Sequence, residues 1–389
     1  VMGIESDAIE VEQPLASLGL DSLMGMELRS NLESMLGVEI PASSFFDDPS
    51  VSSLAKVAAE SFGGEPDLDR AEEAAPSGDA GAARRSEEVS RPRRNSALVP
   101  LGGTHSDDVP LFCIHPVGGD LRCYDEFARS LRARPVFGLR ARGLQVGSDP
   151  HASMDELVDD YTRTIREHQS KGPYCLMGWS TGGIFAYEIA RRLHEANVSV
   201  QPLIMADTPL PVVFEQVDLN DNAKFLVDLV EFANHFAGTS MEISYDALHN
   251  QDNDQAISLV LRLAVQHGVL PPETTREYLD RLINVCRQHV HILQTYDPPS
   301  CDMRVDLLRP KDSQVLSEAT RRSHADDLGW GDLVSLQTHR SPGHHFTMMT
   351  GHNATTLAES IDRLIRESLD GERADSSAAL ASGRNHSNR

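Results

Sequence analysis

Aromatic side chains make up only 5% of this chain, and basic residues are its minority charge: 35 Lys and Arg stand against 59 Asp and Glu, a net charge of −24. A surface that negative repels a phosphate backbone, which argues against nucleic acid as a partner. Cysteine is scarce too. The five (Cys113, Cys123, Cys175, Cys286, Cys301) are odd in number, scattered and without metal-ligand spacing, so they read as reduced thiols and no metal site is expected. No run approaches the roughly 20 apolar residues of a membrane span, and "VMGIESDAIEVEQ" has neither the basic nor the apolar region of a signal peptide. No internal repeat occurs. The chain is therefore expected to be soluble and cytoplasmic. Because it begins at Val1, it is expected to be a piece of something longer.

With 389 residues and 40% hydrophobic content there is material for at least one sizeable core. Residues 1–62 read as a small helical domain: Leu28, Leu32 and Met35 fall at i, i+4 and i+7, and Ser50 is placed to cap the helix of "SVSSLAKVAAESF". Residues 63–108 are rich in Ala, Ser, Gly, Pro and charge, with little to bury, and read as a flexible linker. From Val109 strand and helix alternate: "PLFCIH", "RPVFGLRA", a helix opening on a Ser153/Glu156 capping box, "YCLMGWS", "GGIFAYEIARRLHEA" and "VQPLIMADT". This predicts an α/β domain over 109–369 with a mostly parallel sheet. The alternation breaks over about 212–297, which reads as helices only, then resumes with "MRVDLLRP", "LVSLQTH" and a last helix. The polar tail, 370–389, is expected to be disordered.

"GWSTGG", residues 178–183, fits Gly-x-Ser-x-Gly where a strand meets a helix, the context in which glycines permit a sharp turn that projects a serine hydroxyl. Ser180 is the candidate nucleophile. An unassisted hydroxyl is a poor one, so a histidine must take its proton and an acid must orient that histidine. Asp207, at the C-terminal end of the next apolar strand, is the candidate acid. "SPGHHFTMM" offers His344 and His345 as bases, and local physics does not choose between them; His352 reads as the lead-in to the last helix. The developing oxyanion needs donors: the Thr181 N–H, next to the nucleophile, and the Val117 N–H in "HPVGGD". "HVH" at His289 and His291 looks like a metal pair, but on a helix i and i+2 point apart.

"FCIHPVGG", "GWSTGG", "LIMADT" and "PGHHFTMM" together resemble the terminal thioesterase domains of nonribosomal peptide and polyketide synthases, over roughly residues 109–368. The resemblance implies an α/β-hydrolase fold with the helical insertion as a lid, Asp207 as the acid and, from Gly343, His344, His345 and Phe346, His345 as the base. His344 takes a slot often held by Asp. "LGLDSLMGMELR" resembles a polyketide acyl carrier protein, an all-α helical bundle, which implies 4'-phosphopantetheine on Ser22. That family's first helix lies mostly upstream of Gly3, so the carrier is expected to be truncated. A phosphodiester on Ser22 would face the amide groups at a helix start; the same position would also suit a plain cap.

Taken together, these implications describe chain release in polyketide or hybrid biosynthesis. The acyl chain on Ser22 passes to Ser180 and leaves by hydrolysis or cyclisation, with upstream synthase domains and a phosphopantetheinyl transferase as partners. Apolar lid positions (Phe225, Leu229, Phe232, Leu259, Leu263) would exclude water or bind the chain. Two rivals stand beside this: a free-standing serine esterase or lipase, and a carrier or docking module whose hydrolase fold is inactive.

Overall fold

The computed structural model describes Leu15, Leu28, Leu32 and residues 50–61, 97–102, 108–312 and 326–386. Ser22 and most of the expected carrier bundle lie outside the described residues. The chain divides into two compact units, Val1–Asn95 with Pro271–Thr274, and Ser96–Leu270 with Thr275–Arg389.

In the first unit, α1 (Val51–Ser61) starts at Ser50. The Ser50 Oγ accepts from the Ser53 N–H at 3.1 Å, and the Ser53 Oγ accepts from the Ser50 N–H at 2.8 Å. This reciprocal cap satisfies two amide groups a helix start leaves open.

The second unit is built on a seven-stranded sheet: β1 (Leu98–Gly102), β2 (Leu111–Ile114), β3 (Val136–Leu139), β4 (Tyr174–Trp179), β5 (Val200–Ala206), β6 (Arg304–Pro310) and β7 (Ser335–Ser341), in the order β1-β3-β2-β4-β5-β6-β7. Only the β1–β3 pair is antiparallel. The central strands are buried on both faces, β2 and β4 along their whole length, which is why they read as unbroken apolar runs. Alternate residues feed two cores. Phe112, Ile114 and Leu176 join Val158, Tyr161 and Ile165 of α3 (Met154–His168) and Ile184, Phe185 and Ile189 of α4 (Thr181–Glu195). Leu111, Cys113 and Met177 face the opposite way, against Phe127 of α2 (Asp125–Ser130) and Leu357 and Ile361 of the last helix.

Between β5 and β6 come α5 (Asn222–Ala237), α6 (Tyr245–His249), α7 (Asn253–Gln266) and α8 (Arg276–Gln294). They share a core of their own, including Leu226, Val230, Ile257, Val260 and Ile283. Arg287 of α8 ties this group together: its guanidinium lies 4.3 Å from the centre of the Phe225 ring and donates to the Leu219 carbonyl at 2.6 Å and to Asn222 Oδ1 at 2.7 Å. Phe225 thus faces the group's interior, not a substrate path.

Three details depart from the sequence expectations. The expected linker, 63–108, contains β1; Pro100 is tolerated there because an edge strand does not need every N–H. The last helix, α9 (Gly351–His386), continues past Asp370, where the ordered chain was expected to end; that stretch holds alanines and no proline, and its glycines, Gly371 and Gly383, weaken a helix without removing a ladder N–H. The capping box at Ser153 is half made. Ser153 Oγ accepts from the Glu156 N–H at 3.2 Å, but the Glu156 carboxylate turns to the Ala152 N–H and Arg142.

Candidate active site

Ser180 sits between β4 and α4 at φ 56°, ψ −128°, a conformation that costs a non-glycine residue about 1–3 kcal/mol. The glycines around it make the turn feasible. A Cβ on Gly178 would lie 2.1 Å from the Gly182 backbone, and one on Gly182 would lie 2.3 Å from the Ile114 carbonyl oxygen. Hydrogen bonds hold the turn from both sides. The Ser180 N–H donates to the Ala206 carbonyl at 2.9 Å. The Trp179 N–H donates to the Tyr124 hydroxyl at 2.9 Å, which donates onward to the Ile114 carbonyl at 2.7 Å.

β4 and β5 pair in parallel with Trp179 opposite Ala206, so Asp207 follows β5 where Ser180 follows β4. Its backbone is also in the left-handed region, at φ 43°, and its N–H donates to the Leu308 carbonyl at 2.8 Å. Both carboxylate oxygens are occupied: Oδ2 by His345 Nδ1 at 2.8 Å and Oδ1 by Arg309 Nη1 at 3.1 Å. The imidazole, 2% exposed, is fixed further. The Trp179 Nε1–H donates to the His345 carbonyl at 3.1 Å, and the two rings lie 5.1 Å apart. With Nδ1 carrying the proton toward Asp207, Nε2 keeps its lone pair, and this buried atom has no hydrogen-bond partner.

His344 is engaged elsewhere: its Nδ1 accepts from the Phe346 N–H at 3.3 Å, within its own turn. Gly343, at φ 72°, makes that turn, and a Cβ there would collide with the Asn353 side chain at 2.5 Å. The structure therefore brings His345, not His344, to Asp207 at the C-terminal edge of the sheet, with its ring against Trp179, the residue before Ser180; the local sequence left that choice open at the histidine pair. Thr181 begins α4, so its N–H is among those a helix leaves without an internal partner. Val117 lies in the turn after β2, and its N–H makes no hydrogen bond among the described residues. That turn rests against the first turn of α4, where a Gly182 Cβ would also meet the His115 carbonyl at 2.8 Å.

Sequence reasoning missed Arg309 and Tyr124. Arg309 is the penultimate residue of β6, one strand over from Asp207, and a charged residue following the apolar pair Leu307–Leu308 was the available signal. Nothing near Tyr124 in sequence announces its bond to Trp179, 55 positions away. His289 and His291 diverge as a helix requires, the first buried and the second exposed. Among the described residues no group of three or more His, Cys, Asp or Glu could hold a metal ion, and no helix is long and apolar enough to cross a membrane.

Residues 109–366 match the model of the thioesterase domain family, a range that takes in β2 to β7, the helical insertion and Ser180, Asp207 and His345. The chain belongs to that family. Residues 1–58 match the phosphopantetheine attachment site family, so the thioesterase is preceded by a carrier segment and phosphopantetheine is its prosthetic group. The thioesterase chain is similar to aspulvinone E synthetase of Aspergillus terreus, at 24% identity over 89% of this chain and 35% of that protein. It is also similar to a non-reducing polyketide synthase of Cladonia metacorallifera, at 25% identity over 92% of this chain and 17% of that protein. Among solved structures it resembles a four-domain nonribosomal peptide synthetase crystallised with AMP and glycine, with a TM-score of 0.63 and 25% identity over 92% of this chain and 24% of that one. The thioesterase chain thus spans about a third or less of these relatives. Its second unit has the α/β-hydrolase fold, with the helical insertion between β5 and β6.

Proposed function

We propose that this chain terminates biosynthesis on a synthase of polyketide or nonribosomal-peptide type, with Ser180, Asp207 and His345 as its catalytic triad and Ser22 as the attachment point. The observation that carries the reading is the His345–Asp207 hydrogen bond of 2.8 Å, which leaves a buried Nε2 free on a ring 5.1 Å from that of Trp179, the residue before Ser180 and its strained turn. Ser22 offers the hydroxyl a phosphodiester requires, and bound phosphopantetheine supplies the sulfur on which the acyl chain is held as a thioester.

His345 Nε2 takes the proton of Ser180 Oγ as the oxygen attacks the thioester carbonyl. The Val117 and Thr181 N–H groups receive the negative charge that develops on the carbonyl oxygen. As the tetrahedral adduct collapses, the C–S bond breaks, His345 returns the proton to the departing thiolate, and an acyl ester remains on Ser180. His345 then deprotonates the second nucleophile, water or a hydroxyl or amine of the chain itself, as it attacks the ester carbonyl; the acyl C–O bond to Ser180 breaks, His345 returns the proton to Ser180 Oγ, and the product leaves as an acid or a ring. Upstream synthase domains deliver the chain, a phosphopantetheinyl transferase primes Ser22, and the setting is cytoplasmic.

Intact-mass measurement tests both halves. After incubation with an acyl-coenzyme A and a phosphopantetheinyl transferase, Ser180→Ala gains the acyl-arm mass and retains it, while Ser22→Ala gains nothing. Loading of Ser22→Ala places the arm elsewhere; undiminished release by Ser180→Ala removes the proposed nucleophile.

A further inference from the structure

Three histidines are fully buried beside the turn that follows β2, and the proposed mechanism uses none of them: His115, His151 and His289. His115 stands out by what it touches. Its Nδ1 lies 2.8 Å from the Pro116 carbonyl oxygen and its Nε2 lies 2.6 Å from the Tyr161 hydroxyl. A carbonyl only accepts, so Nδ1 carries the proton; Nε2 is then an acceptor, and the tyrosine donates to it. One tautomer satisfies both bonds. Burial also pushes the His115 pKa down to about 4, so the ring is neutral at ordinary pH.

The Pro116 carbonyl belongs to the same peptide unit as the Val117 N–H. That unit is planar, so whatever fixes the direction of the carbonyl fixes the direction of the N–H. Two donors fix it: His115 Nδ1 and the Gly119 N–H, the latter at 3.0 Å. Donation to the carbonyl also polarises the unit and strengthens the N–H as a donor, by roughly 10–30%. The imidazole itself cannot tilt freely. The ring of His289, from α8, stacks on it at 4.8 Å and 11°, and Phe185 packs edge-on at 5.5 Å.

We propose that His115, its Nδ1–H on the Pro116 carbonyl and its Nε2 tied to the Tyr161 hydroxyl, is a positioning residue that aims and polarises the Val117 N–H toward the oxyanion. The inference rests on the reading of Ser180 as nucleophile and Val117 as oxyanion donor. His115 touches no reacting atom; its effect passes through the 116–117 peptide. It therefore acts on the transition state more than on the bound thioester, because only the former concentrates charge on that oxygen.

The test compares wild type, Tyr161→Phe, His115→Asn and His115→Leu in the full chain, by hydrolysis of a short-chain acyl thioester and by inhibition with butylboronic acid, which forms a tetrahedral adduct on an active serine. His115→Leu is expected to lose about 10-fold in kcat with KM little changed, less than the 10²–10³ of deleting a donor outright. Boronate affinity falls by the same factor. Asn places an amide N–H near the position of Nδ1, so His115→Asn recovers most of that loss. Tyr161→Phe, which keeps the ring and its packing, shows a parallel fall in kcat and boronate affinity. Wild-type kcat and boronate affinity in both His115→Leu and Tyr161→Phe overturn the proposal, as does equal impairment of Leu and Asn, which would mean packing alone. If His115→Leu does not fold, Tyr161→Phe decides by the same two readouts. Ser180→Ala separates the two levels: if it still hydrolyses the thioester, the underlying reading fails; if it is inactive while the positioning variants behave as wild type, only this inference fails.

Discussion

Replacing Asp207 with asparagine tests more than a lost charge, because Arg309 dictates how the new amide must sit. In the wild type, Oδ1 receives Arg309 and Oδ2 receives His345 Nδ1–H, with the arginine and aspartate side chains each only 13% exposed. Asparagine has one oxygen for two donors. Turning its NH2 toward the guanidinium would forfeit a hydrogen bond to a charged group, worth about 1.5–3 kcal/mol. The oxygen therefore goes to Arg309 and the NH2 faces His345, which forces the proton onto Nε2 and removes the base. The variant also loses the attraction between the carboxylate and the imidazolium formed during reaction, about 4 kcal/mol for charges 4 Å apart at an effective dielectric near 20. These overlap, and the larger alone corresponds to a fall in kcat of about 10³-fold, the minimum expected. Adding Arg309→Met frees the amide to present its oxygen to Nδ1–H; the double variant should recover about 10-fold over Asp207→Asn. The assay is thiol release from a simple acyl thioester, with melting curves to check folding. An Asp207→Asn enzyme within about 10-fold of wild type, or a double variant no faster than the single, refutes the argument.

Stability should fall on acidification because His115 is neutral in the fold, at about 4, whereas an unfolded histidine takes up a proton below about 6.5. The stabilisation is present above the unfolded value and is lost as pH falls toward 4, about 3 kcal/mol in all. Melting temperature followed from pH 7 to 4 should drop steeply in wild type and less in His115→Asn; parallel profiles would contradict it. Gly182→Ala puts a methyl group 2.3 Å from the Ile114 carbonyl, so the first turn of α4 must move off β2. The cost is about 1–3 kcal/mol of stability, with thioester hydrolysis lost even in the folded fraction. A variant as active and as stable as wild type would show that the elbow tolerates a side chain.

Much of the fold is legible because burial writes itself into local pattern. The fully buried strands appear as apolar runs, and the helices at 222–237, 253–266 and 276–294 follow from their periodicity. β1 escapes notice because an edge strand of five residues, half-exposed and carrying Pro100, has the composition of the linker it adjoins. The end of α9 was misjudged for a related reason: polar composition says what cannot be buried, not whether a backbone continues a helix already begun.

By itself the sequence determined the kind of chemistry. A serine between glycines at a strand end, an aspartate closing the next strand and a histidine before the last helix constrain the chain locally, and each keeps its signature wherever the rest of the molecule lies. Between His344 and His345 the local sequence was silent and only the family resemblance pointed to His345; tertiary structure supplied the physical reason, because which ring meets Asp207 depends on where a turn at Gly343 aims it across 138 residues of separation. It alone supplied Arg309, and with it the Tyr161–His115–Pro116 contacts. Those bonds join residues from separate elements, and a side chain's partners are set by sheet order and helix packing, which no short stretch of sequence contains.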